Sequence, residues 1–330
     1  MRDNIVAFGG DPENVTIFGV SGGGQKVSTL MALPAAAGLF HRAPVESGPM
    51  LTANLPGPAT KSAESLLAAL DTPREGAREL LSLSGDELLA GYMKMHPDGG
   101  LTSSGLGPVV DGVNLPHHPF DPSAPEISNH VPLLIGTTAS EMSLFIGMAD
   151  PSVFELTWEA LPERLPSLLP FLFGLSAKGI ASARRCLPGA SPAQVIFALA
   201  SQQFIRDRSI THAERVARRP APVYMWLIEW ITPVDGGKWG APHGMSVPLV
   251  MDTVDASASL FGDDLREPQT LCDRMSAAWA AFARTGAPDT PDLPHWPAYD
   301  AKDPATMIFD TQCRVENDPH RALRMLVSQG

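Results

Sequence analysis

Cysteine is scarce in this chain: Cys186, Cys272 and Cys313 are its three copies in 330 residues. They are odd in number, far apart and form no Cys-x-x-Cys pair. That excludes a disulfide framework and a structural zinc site, and leaves room for one disulfide at most. The usage points to a reducing compartment. Basic residues are also short, with 24 Lys+Arg against 36 Asp+Glu, a net charge of -12 and a pI near 5.1. That is the wrong sign for binding nucleic acid or an anionic membrane surface. Long apolar runs are missing: the longest are interrupted well short of the ~20 residues a membrane span needs. Met1 to Phe8 has no apolar core and no small-residue cleavage site. It does not read as a signal peptide, so the expected location is cytoplasmic. No internal repeat is visible.

What is present is apolar bulk. The chain is 44% hydrophobic, enough for one large domain or two ordinary ones. Its 32 prolines fit many loops between short elements. The stretch that organises the rest is Val15-Thr-Ile-Phe-Gly-Val-Ser-Gly-Gly-Gly24. A β-branched and aromatic run passes through Gly19-Val20-Ser21-Gly22-Gly23. It then enters a helical pattern carried by Val27, Leu30, Met31 and Leu33. Strand, sharp turn, helix is the context in which Gly-x-Ser-x-Gly presents a nucleophilic serine, with the following N–H directed at a forming oxyanion. The bland alternative is a glycine-rich turn whose serine caps a helix. Gly19 and Gly24 also have the glycine spacing of a phosphate loop. That loop needs Lys and Ser/Thr directly after the second glycine, and here Gln25 follows with Lys26 one place late.

Along the chain, Asn4 to Phe8 reads as the end of a helix stopped by Gly9-Gly10-Asp11-Pro12. Ala43 to Ser47 reads as a second strand, which makes a βαβ unit with the first. Residues 60–95 have a helical period, with a capping box from Ser84 to Glu87. Gly107 to Pro122 is loop, turning at Asp111-Gly112. Val131 to Gly136 is a third, wholly apolar strand, as buried parallel strands are. Residues 151–217 are mostly helical, with breaks near Pro162, Pro170 and Pro188. Val223 to Trp230 is a fourth strand. Leu271 to Arg284 is a helix ended by Gly286. The remainder is loop with one short strand, Thr306 to Phe309. Strands spaced by helical blocks make the fold class α/β.

A serine hydroxyl needs a general base. Of nine histidines, His117 and His118 lie in a Pro-rich loop, and His295 and His320 in polar C-terminal loops. His243, in Gly240-Ala-Pro-His-Gly244, follows the fourth strand, where parallel sheets carry function. A third group must hold the imidazole tautomer, and Glu141 follows the third strand. Alone, His243 reads more simply as a surface loop histidine and Glu141 as a helix N-terminal acid. Together, Ser21, Glu141 and His243 each follow a buried strand, in the Ser…Asp/Glu…His order of α/β hydrolases. Met142, Met245, Trp230 and Trp239 are candidates for an apolar pocket, but core packing is the simpler reading.

With these residues assembled, the chain resembles the type-B carboxylesterases, the carboxylesterase/cholinesterase group of the α/β-hydrolase fold, in its bacterial para-nitrobenzyl-esterase-like branch. The resemblance rests on Asn4 through Gly23, Ser47-Gly-Pro49, Glu141, Gly240-Ala-Pro-His243, Trp279-Ala-Ala-Phe-Ala-Arg-Thr-Gly286 and Trp296-Pro-Ala-Tyr-Asp300. It runs from Asn4 to the C-terminus and implies one domain over residues 1–330. It implies Ser21 as nucleophile, His243 as base, Glu141 as acid, Gly22 as an oxyanion N–H and Ser47 as a buried serine near the histidine. The implied reaction is hydrolysis of a small carboxylic ester through an acyl-enzyme, with no metal or organic cofactor. Val20 stands where the family usually has Glu, Gly22 where it has Ala, and Ser246 where it often has Asp or Glu. The family's N-terminal section, with the first strands and a His-Gly-Gly-Gly-type oxyanion loop, has no counterpart before Ser21. The expected fold is therefore the C-terminal part of a mostly parallel α/β-hydrolase sheet flanked by helices, with the N-terminal strands missing and the strand before Ser21 left as an open edge. That edge suits self-association or pairing with a missing N-terminal half. Two other readings follow: an inactive or complementation-dependent esterase fragment, and a non-catalytic esterase-like interaction domain. An intact triad argues against the second.

Overall fold

Among the described residues six strands pair in the order in which they occur in the sequence: β1 (Gly19–Val20), β2 (Ala43–Glu46), β3 (Leu133–Thr138), β4 (Val223–Ile228), β5 (Ala305–Phe309) and β6 (Arg314–Asn317). β1 to β5 run parallel and β6 returns antiparallel. Parallel neighbours need crossovers, and helices supply them. These are α1 (Gly22–Ala32), α2 (Pro56–Ala69), α3 (Gly85–Met95), α4 (Glu141–Ala149), α5 (Leu161–Leu168), α6 (Ala177–Cys186), α7 (Pro192–Ser201), α8 (Asp207–Val216), α9 (Ser246–Val250), α10 (Ala258–Phe261) and α11 (Arg266–Thr285). A last helix, α12 (Arg321–Val327), follows the sheet. This computed structural model describes residues 2–96, 106–168 and 177–328.

β3 and β4 are buried at every position, so their apolar residues serve both faces. Leu134, Tyr224, Trp226, Ile228, Met307 and Phe309 pack with Leu249 of α9 and with Leu271, Met275 and Phe282 of α11. Val45, Leu133, Ile135, Val223 and Met225 pack with Val27 and Met31 of α1 and with Ile210, Ala213 and Val216 of α8. A third cluster joins α4, α6, α7 and α12, through residues such as Met142, Ile146, Val195, Ile196 and Leu323. Gly136 is the small residue that lets β3 and β4 approach: a Cβ there would lie 2.2 Å from Trp226 Cδ2 and 2.3 Å from the Trp226 carbonyl oxygen.

Several expected boundaries move. The third strand begins at Leu133 and runs through Thr138, because Thr137 and Thr138 pair with Leu227 and Ile228. The fourth ends at Ile228, where the N–H groups of Glu229 and Trp230 both turn to the Phe309 carbonyl. Of the expected run before Ser21, only Gly19–Val20 is a strand, with a single further bridge from Thr16 to Arg42. The expected helix end at Asn4 to Phe8 is a 3-10 turn, Ile5–Phe8, stopped by Gly9 at φ +80°. The expected break near Pro162 falls just before it, at residues 156–160, and Pro162 itself sits second in α5, in the first turn, where its missing N–H costs nothing. The expected break at Pro170 lies outside the described residues. The long helix starts earlier, at Arg266, and ends at Gly286 with φ +85° as expected. The C-terminal region holds β6 and α12 beyond the single expected strand. The capping box forms as read: Ser84 Oγ accepts the Glu87 N–H at 3.3 Å and Glu87 accepts the Ser84 N–H at 2.8 Å. All three cysteines are free. No helix among the described residues is long and apolar enough to cross a membrane.

β1 is one edge of the sheet. Beside it, Phe18 is 54% exposed. Gly136→Ala should destabilise the fold by about 1–3 kcal/mol, the usual cost of forcing a methyl group into filled space, and urea unfolding checks it. Unchanged stability would mean that β3 and β4 are not packed through Trp226.

Candidate active site

Ser21 lies between β1 and α1 with φ +57° and ψ -122°, a conformation that costs a non-glycine residue of order 1–3 kcal/mol and clusters at functional sites. Its N–H is held by the Glu46 carbonyl at 2.8 Å, while its carbonyl accepts the Gln25 N–H at 3.0 Å. The surroundings must be bare for this turn to exist. A Cβ on Gly19 would lie 2.5 Å from the Gly23 carbonyl carbon, and one on Gly48 would lie 2.0 Å from the Ser21 carbonyl oxygen. Gly23, the last glycine of Gly-x-Ser-x-Gly, has open space where its Cβ would be. Its backbone is what Gly19 makes room for. Gly22 is the first residue of α1, so its N–H is among those a helix leaves without an internal acceptor.

Glu141 opens α4 three residues after β3 ends and is fully buried. Each oxygen of its carboxylate is engaged. Oε1 accepts the Thr138 N–H at 2.7 Å and the Ser47 hydroxyl at 2.5 Å. Oε2 meets His243 Nδ1 at 2.5 Å. The imidazole side chain is 10% exposed and its ring lies 4.9 Å, centre to centre, from Phe145. The loops carrying the acid and the histidine are tied together: the Ser140 N–H donates to the Ala241 carbonyl at 3.1 Å and the Ser143 hydroxyl to the Trp239 carbonyl at 2.7 Å. Gly240, at φ +64°, keeps clear of Ser140 Oγ, which a Cβ would approach to 2.4 Å. Gly244, at φ +84°, follows the histidine.

Of the expected site residues, Glu141, His243 and Ser47 are thus in direct contact, with Ser47 reaching the acid rather than the imidazole. Ser21 and Gly22 stand at the same C-terminal edge of the sheet. Among the described residues the Ser21 hydroxyl makes no hydrogen bond. Met142, Met245 and Trp230 are core residues, whereas Trp239 is partly exposed and packs edge-on against Phe154 at 4.6 Å.

Two contacts went unread in the sequence. The Thr138 amide needs the strand to run two residues further than its apolar run. Glu46, next to Ser47, is buried; Trp279 Nε1 donates to its Oε1 at 2.9 Å. Ser246 Oγ lies close to it without meeting hydrogen-bond geometry. Burial raises the Glu46 pKa above its ordinary 4.5, against the pull of those two neighbours. One group among the described residues, Asp252, Cys272 and Asp273, brings three metal-ligating atoms within 4.8 Å. Burial first, then Asp252, push the Cys272 thiol up to about 12. It is a hydrogen-bonding thiol, 3.1 Å from Asp252 Oδ1, rather than a thiolate ligand.

The sequence pattern of the carboxylesterase family matches residues 1–164 and 189–323. The chain belongs to that family. It is 32% identical to the para-nitrobenzyl esterase of Bacillus subtilis (strain 168), over 98% of this chain and 64% of that one. It is 29% identical to the phenmedipham hydrolase of Pseudarthrobacter oxydans, over 93% of this chain and 62% of that one. A crystal structure of a Geobacillus stearothermophilus carboxylesterase at pH 6.2 superposes with a TM-score of 0.80 at 31% identity, covering 98% of this chain and 66% of that chain. The fold is accordingly that of the carboxylesterases, a mostly parallel α/β-hydrolase sheet flanked by helices. The chain spans under two thirds of the length of these curated relatives.

Two predictions follow from this geometry. Gly19→Ala should strip the chain of stable folding or of its elbow. Gly23→Ala, in helical backbone with free space, should hold or gain up to about 1 kcal/mol, as read by urea unfolding. The raised Glu46 pKa means that the folded state holds this proton more tightly than the unfolded chain. Its contribution to stability is full below 4.5 and is lost as pH rises through the higher folded value. Glu46→Gln should therefore match the parent at low pH and exceed it increasingly above 4.5; parallel pH–stability curves would refute a buried, proton-holding Glu46.

Proposed function

We propose that the chain hydrolyses small carboxylic esters, with Ser21, His243 and Glu141 acting as one unit. The observation that carries this reading is the buried Glu141 Oε2–His243 Nδ1 contact at 2.5 Å, set at the sheet edge where Ser21 is held in its strained turn. Ser21 Oγ attacks the ester carbonyl carbon while His243 Nε2 takes its proton. The carbonyl oxygen becomes the oxyanion and takes the Gly22 N–H. Collapse breaks the bond to the leaving alkoxide, which receives the proton from His243. Water then attacks the acyl-Ser21 ester as His243 takes its proton; the bond to Ser21 Oγ breaks, His243 returns the proton to Oγ, and the carboxylic acid leaves. Glu141 keeps the proton on Nδ1 and stabilises the imidazolium. The name of the Bacillus subtilis relative suggests para-nitrobenzyl esters as first substrates.

A second reading is favoured by the bare edge of β1 and by Gly22 standing as the one oxyanion donor we identify among the described residues. In it, turnover requires a further polypeptide segment that pairs with β1 and adds donors. Each oxyanion donor is worth about 2.7–4 kcal/mol, or 10²–10³ in rate. The test is hydrolysis of para-nitrophenyl butyrate by the purified chain beside Ser21→Ala. Turnover that falls at least about 10³-fold in the variant supports the first reading. Equal background rates from folded protein overturn it for the chain by itself, and restoration by an added N-terminal segment of a relative supports the second.

A further inference from the structure

Between α7 and α8 the helix widens into a π-helical stretch, Gln202–Arg206, a distortion that recurs at functional sites. Its last residue, Arg206, is 5% exposed. Among the described residues its side chain makes one hydrogen bond, a long one from Nη1 to Thr137 Oγ1 on β3 at 3.4 Å, and its Nε has no partner. No ion pair reaches it among the described residues. The acids nearest to it act only at a distance and are engaged elsewhere. Glu229 is held by Arg314 at 2.6 Å and His320 at 2.7 Å. Asp318 is held by Arg324 at 2.5 Å, and Asp207 accepts from Gln202 at 2.5 Å. Burial lowers the Arg206 pKa to about 10, so the group is still a cation at neutral pH. A buried charge without a counter-ion costs several kcal/mol, which a chain retains only when something offsets it.

Arg206 lines a cavity of about 620 Å³ at the C-terminal ends of β3 and β4, which does not include Ser21, Glu141 or His243. The apolar walls are Leu187, Phe197, Leu227, Ile231, Trp239 and Leu323. The other charged groups of its lining are paired: Lys238 with Asp235 at 3.2 Å while lying over the Phe154 ring, Glu229 with Arg314 and His320, and Asp310 with Arg314 at 3.7 Å. A volume of this size, mostly apolar with a few convergent polar groups, is the usual form of a small-molecule site.

We propose that this cavity is a second ligand site, in which the Arg206 guanidinium takes the carboxylate of a small apolar monocarboxylic acid and the apolar walls take its tail. Arginine suits the task because its planar fork matches a carboxylate bidentately. The walls include Thr138, Ser140, Gly240 and Ala241. These belong to the segments that carry Glu141 and His243, so a bound acid touches both catalytic loops without occupying the serine's side.

Isothermal titration of the whole chain with sodium hexanoate tests the assignment, with hexanol as the probe lacking the carboxylate. The expected result is hexanoate binding that weakens at least tenfold in Arg206→Met and is much weaker for hexanol in the parent. Arg206→Met should melt no lower than the parent, since it removes an unpaired buried charge. Ala198→Trp, which fills the cavity from α7 and leaves Arg206 in place, should weaken hexanoate as well and decides the matter if Arg206→Met does not fold. Equal hexanoate affinity in parent and variants, or hexanol binding as tightly as hexanoate, would overturn the proposal.

Discussion

The candidate site depends on burying one carboxylate and satisfying it completely. Glu141 is removed from water, and its oxygens are met by a backbone amide, a serine hydroxyl and an imidazole. Those three partners come from β3, from the residue after β2 and from the loop after β4. Any slip in register between these strands would leave a buried carboxylate short of a donor, at the cost that attaches to unsatisfied buried charge. The parallel ladder is thus what sets the chemistry. β3 and β4 end together and β2 two residues earlier, and the segments that follow deliver Ser47, Glu141 and His243 to one point.

The same economy governs the serine. Its turn is strained, and the strain is absorbed by contacts that admit no side chain. Gly19 clears the way for α1, Gly48 clears the way for the Ser21 carbonyl, and the Glu46 carbonyl fixes the Ser21 amide. Glu46 then reaches the other way, through its buried carboxyl, to Trp279 on α11. One residue therefore joins the elbow, the strand that carries Ser47 and the helix covering the far face of the sheet. The Arg206 cavity touches the residues just before the acid and just before the base, Thr138 to Ser140 and Gly240 to Ala241.

Much of this was legible from residue order. The wholly apolar runs at 131–136 and 223–230 announced buried parallel strands, and the glycines around Ser21 announced a turn that only strand-to-helix geometry requires. Gly286 ended the long helix as its left-handed φ demands. What was illegible has physical causes. Thr137 and Thr138 look like loop, but their ladder partners in β4 make them strand. Arg314–Asn317 is polar and half exposed at the sheet edge, so it lacks the apolar signature that betrayed the other strands. Arg206 reads as one more helical cation; its burial arises only when α7, α8 and β3 close around it. Ser47, expected near the histidine, donates to the carboxylate that holds it, a detail of one hydrogen bond that no spacing encodes.

The central claim is that Ser21, His243 and Glu141 form one reactive unit. The most direct measurement is covalent capture by a fluorophosphonate ester, followed by mass spectrometry of the intact chain and its peptides. The account predicts a single adduct on Ser21 that is lost in His243→Ala and strongly slowed in Glu141→Gln. An adduct on another residue, or Ser21 labelling that is indifferent to His243, would contradict it.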